Sequence, residues 1–173
     1  MTASRLPEDD LGRAFVKANS DATPEHLGVA GNTYTILLSG NDTGGKFCLI
    51  DMHVPPGGGP PPHRHDFEET FSILLGEIEA TVRGEMVLVR AGETVNIPAN
   101  APHHFQNSST HPARMLCFCA PPGQEEFFRE VGVRVATRTA APPELDEEAK
   151  AALKKKMMEL APKYRTELLA PAS

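Results

Sequence analysis

Between residues 57 and 76 the chain reads GGGPPPHRHDFEETFSILLG, and no other stretch restricts the fold so strongly. Three glycines add no side-chain bulk, and three prolines fix φ near about −65°. This stiff ramp runs straight into His63 and His65. Imidazoles at i and i+2 of an extended strand project from one face. Glu69 shares that face if the chain stays extended, and so do Phe71, Ile73 and Leu75. The face is otherwise apolar, so it points to an interior. Two imidazoles and a carboxylate there are costly unless something offsets their polarity. One divalent transition metal does so, since neutral imidazole nitrogen and carboxylate oxygen are good ligands for Fe, Mn, Ni, Cu, Co or Zn.

A second segment, PANAPHHFQN (98–107), supplies a fourth candidate. His103 follows a proline-bounded turn, with Phe105 and Asn107 on its face and His104 on the other. Glu68 competes with Glu69 for the ligand role, but strand parity favours Glu69.

The surrounding chain reads as short strands. TYTILLSG and KFCLIDMHV flank the glycine-containing turn NDTGG, a hairpin signal. EIEATV and MVLVRAGE flank RGE, and PARMLCFCAP follows the His103 segment. Turns recur at roughly the 8–12-residue spacing of an all-β sandwich or barrel, and no long helical pattern interrupts residues 33–120. Residues 1–30 read as a polar N-terminal arm with a short helix near 11–17. Residues 31–122 read as the β-barrel and residues 123–173 as a helical extension. In that extension GQEEFFREVG gives a turn or two of helix. ELDEEAKAALKKKMMELA places Leu145, Ala149, Leu153, Met157 and Leu160 at helical spacing, with Pro162 ending the helix. The stripe needs a cover, either the barrel or a second subunit.

Composition excludes several classes. A net charge of −6 argues against a nucleic-acid or anionic-membrane partner. No apolar run approaches the roughly 20 residues of a membrane span, and the first residues lack the apolar core of a signal peptide. Three cysteines are too few for a disulfide scaffold, so a reducing cytoplasm is the expected compartment. Cys117 and Cys119 share a strand face with Met115 and read as small core hydrophobes. No dinucleotide or phosphate-loop fingerprint is present, since no helix follows the glycine run.

The two histidine segments resemble the cupins, small antiparallel jelly-roll barrels of the double-stranded β-helix type. The first cupin motif, G-x5-H-x-H-x3,4-E-x6-G, is filled by Gly57, His63, His65, Glu69 and Gly76. The second, G-x5-P-x-G-x2-H-x3-N, is met by Gly92, Pro98, His103 and Asn107. Asn100 stands where the motif has its middle glycine, and asparagine tolerates left-handed backbone angles better than most residues. The resemblance implies that His63, His65, Glu69 and His103 bind one metal. The single-domain layout and the ARMLCFCAPPGQEEFFREVG stretch resemble the quercetin-dioxygenase-like branch. In that branch the metal-bound glutamate doubles as the base that deprotonates a substrate hydroxyl, which puts both roles on Glu69.

The expected pocket lining, Phe71, Ile73, Leu75, Phe105 and Asn107, carries no cation. That argues against phosphorylated sugars and small dianions and in favour of an apolar, phenolic or enol substrate, with O2 as co-substrate. A non-catalytic metal- or ligand-binding module, or a metal-dependent isomerase or lyase, would use the same ligand set. Family members are commonly dimers, so a homodimer is expected.

Overall fold

The computed structural model describes residues 5–9, 11–22 and 25–170. Its strands are β1 (His26–Val29), β2 (Asn32–Leu38), β3 (Cys48–Val54), β4 (His63–His65), β5 (Glu68–Leu75), β6 (Glu77–Val82), β7 (Glu85–Arg90), β8 (Thr94–Ile97), β9 (His103–Gln106) and β10 (Ala113–Ala120). Helix α1 (Gln124–Val131), the short β11 (Val133–Arg134), helix α2 (Glu147–Leu160), a 3-10 turn (Ala161–Tyr164) and β12 (Thr166–Leu168) complete the chain. All strand pairs are antiparallel, and they form two sheets rather than one closed barrel. One sheet has the order β11-β1-β2-β3-β10-β5-β8 and the other β12-β4-β9-β6-β7. The jelly-roll expectation therefore holds, with helices added at the C-terminal end.

The core lies between the sheets, where Ile50, Val54, Ile73, Ile78, Ile97 and Met115 are fully buried. Each such side chain contributes roughly 1.5–3 kcal/mol through removal from water. The alternation that puts them inside also puts Arg64 and Glu68 outside.

Three expectations need correction. Residues 11–17 form a turn and a bend, not a helix. Leu11 and Phe15 are almost fully exposed, so nothing packs on a stripe there, and a helix of that length is marginal without packing. The segment expected as an arm includes β1, which pairs with β2 through a two-residue turn at Ala30 and Gly31. Both turn residues have positive φ, as a type I′ hairpin requires. Leu75 is 62% exposed and does not face the interior. A β-bulge is the reason: Ile73 pairs with Met115 but Leu75 with Arg114, so the ladder slips and the alternation of faces breaks after Ile73.

The C-terminal extension is part of both sheets. β11 pairs with β1, and β12 pairs with β4, setting Thr166 opposite His65 and Leu168 opposite His63. Helix α2 begins at Asp146, whose carboxylate accepts from the Ala149 amide at 2.8 Å. Leu153, Met157 and Leu160 pack partly buried on the core, whereas Leu145, before the helix, stays exposed, so the chain's own body covers the later part of the stripe.

Candidate metal centre

The ramp is stitched to β9 before it reaches the histidines. The Gly57 amide donates to the Asn107 carbonyl at 2.7 Å, and the Asn107 amide donates to the Gly58 carbonyl at 2.9 Å. Gly59, at φ 150°, lies so close to β9 that a Cβ there would sit 2.1 Å from the Phe105 carbonyl oxygen. The turn before His103 depends on Asn100 at φ 67°, whose amide donates to the His65 carbonyl at 2.7 Å. Strands β4 and β9 thus lie side by side with His63 opposite His103. Glu69 comes across from β5 in the other sheet.

All four side chains are buried, and one ligand atom from each lies within 4.8 Å of the others. The Nδ1 atoms of His63, His65 and His103 each sit 2.9 Å from a backbone carbonyl, those of Pro61, Phe67 and Ala101. A carbonyl only accepts, so each Nδ1 carries its proton and each Nε2 is the atom turned to the centre. Glu69 Oε2 lies 3.1 Å from both His65 Nε2 and His103 Nε2. A carboxylate oxygen that close to two imidazole nitrogens requires protons or a cation between them. The donor set therefore fits one divalent transition metal, with no preference among several ions.

The electrostatics match this reading. Burial raises the Glu69 carboxyl, but bonds from His103 and His65 outweigh it and hold the group well below the usual carboxylate range. His103 is raised because its bond to Glu69 overcomes its burial. His63 is lowered to about 4, by burial first and by the neighbouring His103 second. A measurable consequence follows for the metal-free protein. In the unfolded chain His63 takes a proton near pH 6.5; in the fold it takes none until about pH 4. Between those values the unfolded state binds more protons, so stability falls with pH by on the order of 3 kcal/mol. Over that window His103 is already protonated in the fold and cancels little of the loss. Urea unfolding at pH 7 and pH 4.5 measures it, and His63→Gln should lose most of the difference. An equal pH slope in that variant would refute the assignment.

The other oxygen of Glu69 is held from behind. Cys117 Sγ donates to Glu69 Oε1 at 3.2 Å, and Cys119, directly opposite Glu69 in the ladder, lies 3.5 Å from Cys117. Burial pushes the Cys117 thiol up to about 12, so it stays a donor. The two cysteines are core residues as expected, and Cys117 also fixes the rotation of a ligand carboxylate. Glu68 points outward, accepting from Asn96 and from the Ala99 amide.

A cavity of about 60 Å³ adjoins the centre and reaches His63 and Glu69. At roughly 10–15 Å³ per water it holds a few waters, the room of one small ring. Phe71 and Phe105 line it, in edge-to-face contact with centroids 5.3 Å apart. Ile73 and Asn107 do not. Ile73 packs into the core, and Asn107 closes its own turn by donating to the Val54 and His111 carbonyls and accepting from Ser109. The wall also includes residues that the sequence did not place at the site, among them Asn32 and Tyr34 on β2, Gln124 and Phe128 on α1, and Met157 on α2. No lysine or arginine reaches the cavity among the described residues.

Two facing antiparallel sheets, with three histidines on neighbouring strands of one and a glutamate on the opposing strand of the other, define a jelly roll with a candidate metal site between its layers. The Cupin domain family matches residues 50–119, and an uncharacterised protein of Methanocaldococcus jannaschii is 31% identical over 114 residues, 65% of this chain and 91% of that one. The chain belongs to the cupins. It is also similar to quercetin 2,3-dioxygenase of Bacillus subtilis, 29% identical over 99 residues; the match spans 57% of this chain and 29% of that enzyme's length. Among solved structures, a predicted oxalate decarboxylase from Thermotoga maritima shares the fold, with TM-score 0.56 and 24% identity over 61% of this chain and 99% of that one. No helix is long and apolar enough to cross a membrane among the described residues.

Proposed function

We propose that this cupin is a metal-dependent dioxygenase acting on a small, single-ring enol or phenol. The observation that carries the reading is the buried three-histidine, one-glutamate set opening onto a small cavity with aromatic walls and, among the described residues, no lysine or arginine. The similarity to quercetin 2,3-dioxygenase supports the reaction class. A cavity of about 60 Å³ favours a substrate smaller than those that fill ligand pockets of roughly 300–1,000 Å³.

His63, His65, Glu69 and His103 would hold the metal, which when bound supplies a Lewis acid for an enol oxygen and a site for O2. The chain's own residues do the rest. The three backbone carbonyls keep the imidazole rings turned with Nε2 inward. The Cys117 thiol occupies Oε1 of Glu69, so Oε2 is the oxygen turned to the centre; it would hold the metal and, once released from it, take the substrate's hydroxyl proton. Phe71 and Phe105 exclude water from the reacting end and pack on the ring.

Glu69→Gln tests the proposal in the metal-loaded protein. An oxygen electrode run with catechols, hydroxypyranones and flavonols reads turnover, and elemental analysis reads occupancy. The expected result is turnover lower by about 100-fold or more, beyond any loss of metal, as for removal of a general base. Turnover that persists under nitrogen would replace the dioxygenase by a lyase or isomerase. Tight binding with no turnover on any of these compounds would make the protein a binding module.

A further inference from the structure

The cavity contains buried polar atoms that no group among the described residues serves. Asn32, the first residue of β2, is 1% exposed, and neither its Nδ2 nor its Oδ1 has a hydrogen-bond partner among the described residues. Gln124, the first residue of α1, is 8% exposed, and its Oε1 is unpaired as well. The Tyr34 hydroxyl is a neighbour of Asn32, but it does not meet the Asn32 amide with hydrogen-bond geometry. Both amides line the cavity that His63 and Glu69 close. Buried side-chain polar atoms are nearly always paired in folded proteins, and an unpaired one lowers stability. Two such groups on one cavity, brought there by a hairpin and a helix far apart in sequence, mark a place where a ligand supplies the partners.

We infer that Asn32 and Gln124 are specificity-determining residues that recognise a second, uncharged polar group on the substrate, remote from its metal-binding enol. This rests on the proposed function above. The chemistry of the unpaired atoms selects the group. Asn32 offers a donor and an acceptor, and Gln124 offers an acceptor. A hydroxyl gives one hydrogen and accepts another, and a carboxamide can do the same. A carboxylate has no hydrogen to give the Asn32 and Gln124 oxygens and, remote from the metal, meets no lysine or arginine among the described residues, so it is disfavoured. A ligand apolar along its whole length would leave the amides unpaired, so it binds less well.

The test uses the metal-loaded protein and two single-ring probes. Kojic acid chelates through its enol and carbonyl and carries a hydroxymethyl group across the ring; allomaltol has a methyl group in that position. Calorimetry should show the wild type binding kojic acid about 10-fold tighter, the discrimination expected when one hydroxyl satisfies buried partners. Asn32→Leu and Gln124→Met, each close in shape, should keep full metal occupancy and bind the two probes equally. Each should also keep or raise the melting temperature, by about 2–4 °C, because an unpaired buried group has been removed. Equal binding of the probes by the wild type would overturn the inference and leave the dioxygenase proposal standing. A fall of several degrees in both variants would overturn it too, by making the amides structural. If neither probe binds the loaded wild type, the enol-ligand reading fails along with it, while the metal content still reports the centre itself.

Discussion

His63→Ala should empty the metal centre. Protein purified without added metal is expected to hold close to one equivalent of a divalent transition metal per chain, and the variant only a trace. Even loss of an outer partner that orients a ligand lowers metal affinity by roughly 10–100-fold, so loss of one of four ligands should exceed about 100-fold. The variant should still fold, since His63 sits on a three-residue strand whose register is held by β9 on one side and β12 on the other. Without metal it should lose less stability than the metal-free wild type as the pH falls from 6.5 towards 4, because burial disfavours the charged form of His63. Elemental analysis and a melting curve decide the matter together. Undiminished metal in a folded variant would mean that the ion sits elsewhere.

The second large effect lies outside the ligand set. Gly59→Ala places a Cβ 2.1 Å from the Phe105 carbonyl oxygen and 3.0 Å from its carbon, at a backbone φ of 150° that side chains rarely adopt. Neither atom belongs to a flexible side chain, so the ramp or β9 must move. The expected cost exceeds about 3 kcal/mol, beyond the common range for point substitutions. Because the ramp delivers His63 and β9 delivers His103, what still folds should also bind metal more weakly. Gly57→Ala is the control: its φ is also positive, at 77°, but nothing lies within 4 Å of the added atom. Equal melting temperatures for the two variants would show that close approach at Gly59 is not what fixes the ramp.

Local sequence patterns carry part of this site and not the rest. The four candidate ligands are legible because alternation along β4 and β5 is local, and because each lies within a few residues of a turn that fixes its register. Alternation failed at Leu75, where the slip against Arg114 is a property of the partner strand and leaves no mark in the sequence of β5. The β1–β2 hairpin was missed because its turn has alanine at a position that usually takes asparagine or glycine. Strand β12 is three residues long and follows directly on a 3-10 turn, too short for any periodicity to show. The cavity wall was the least legible part. Asn32, Gln124 and Met157 reach it from separate elements, and only the tertiary structure brings them together. Asn107 shows the converse: it was placed correctly on the inner side, but its amide is used by the Val54 and His111 carbonyls and has nothing left for a substrate.

The pairing of β12 with β4 bears on the order in which the protein is made. His63 and His65 emerge from the ribosome first and His103 after them, yet Thr166–Leu168 comes later than every other strand and helix among the described residues. Until then the strand that carries two of the ligands has an open edge and a neighbour on one side only. The candidate metal site therefore gains the second flanking strand of β4 only when Thr166–Leu168 has been made, and an alteration there removes one of the two neighbours that hold His63 and His65 in register.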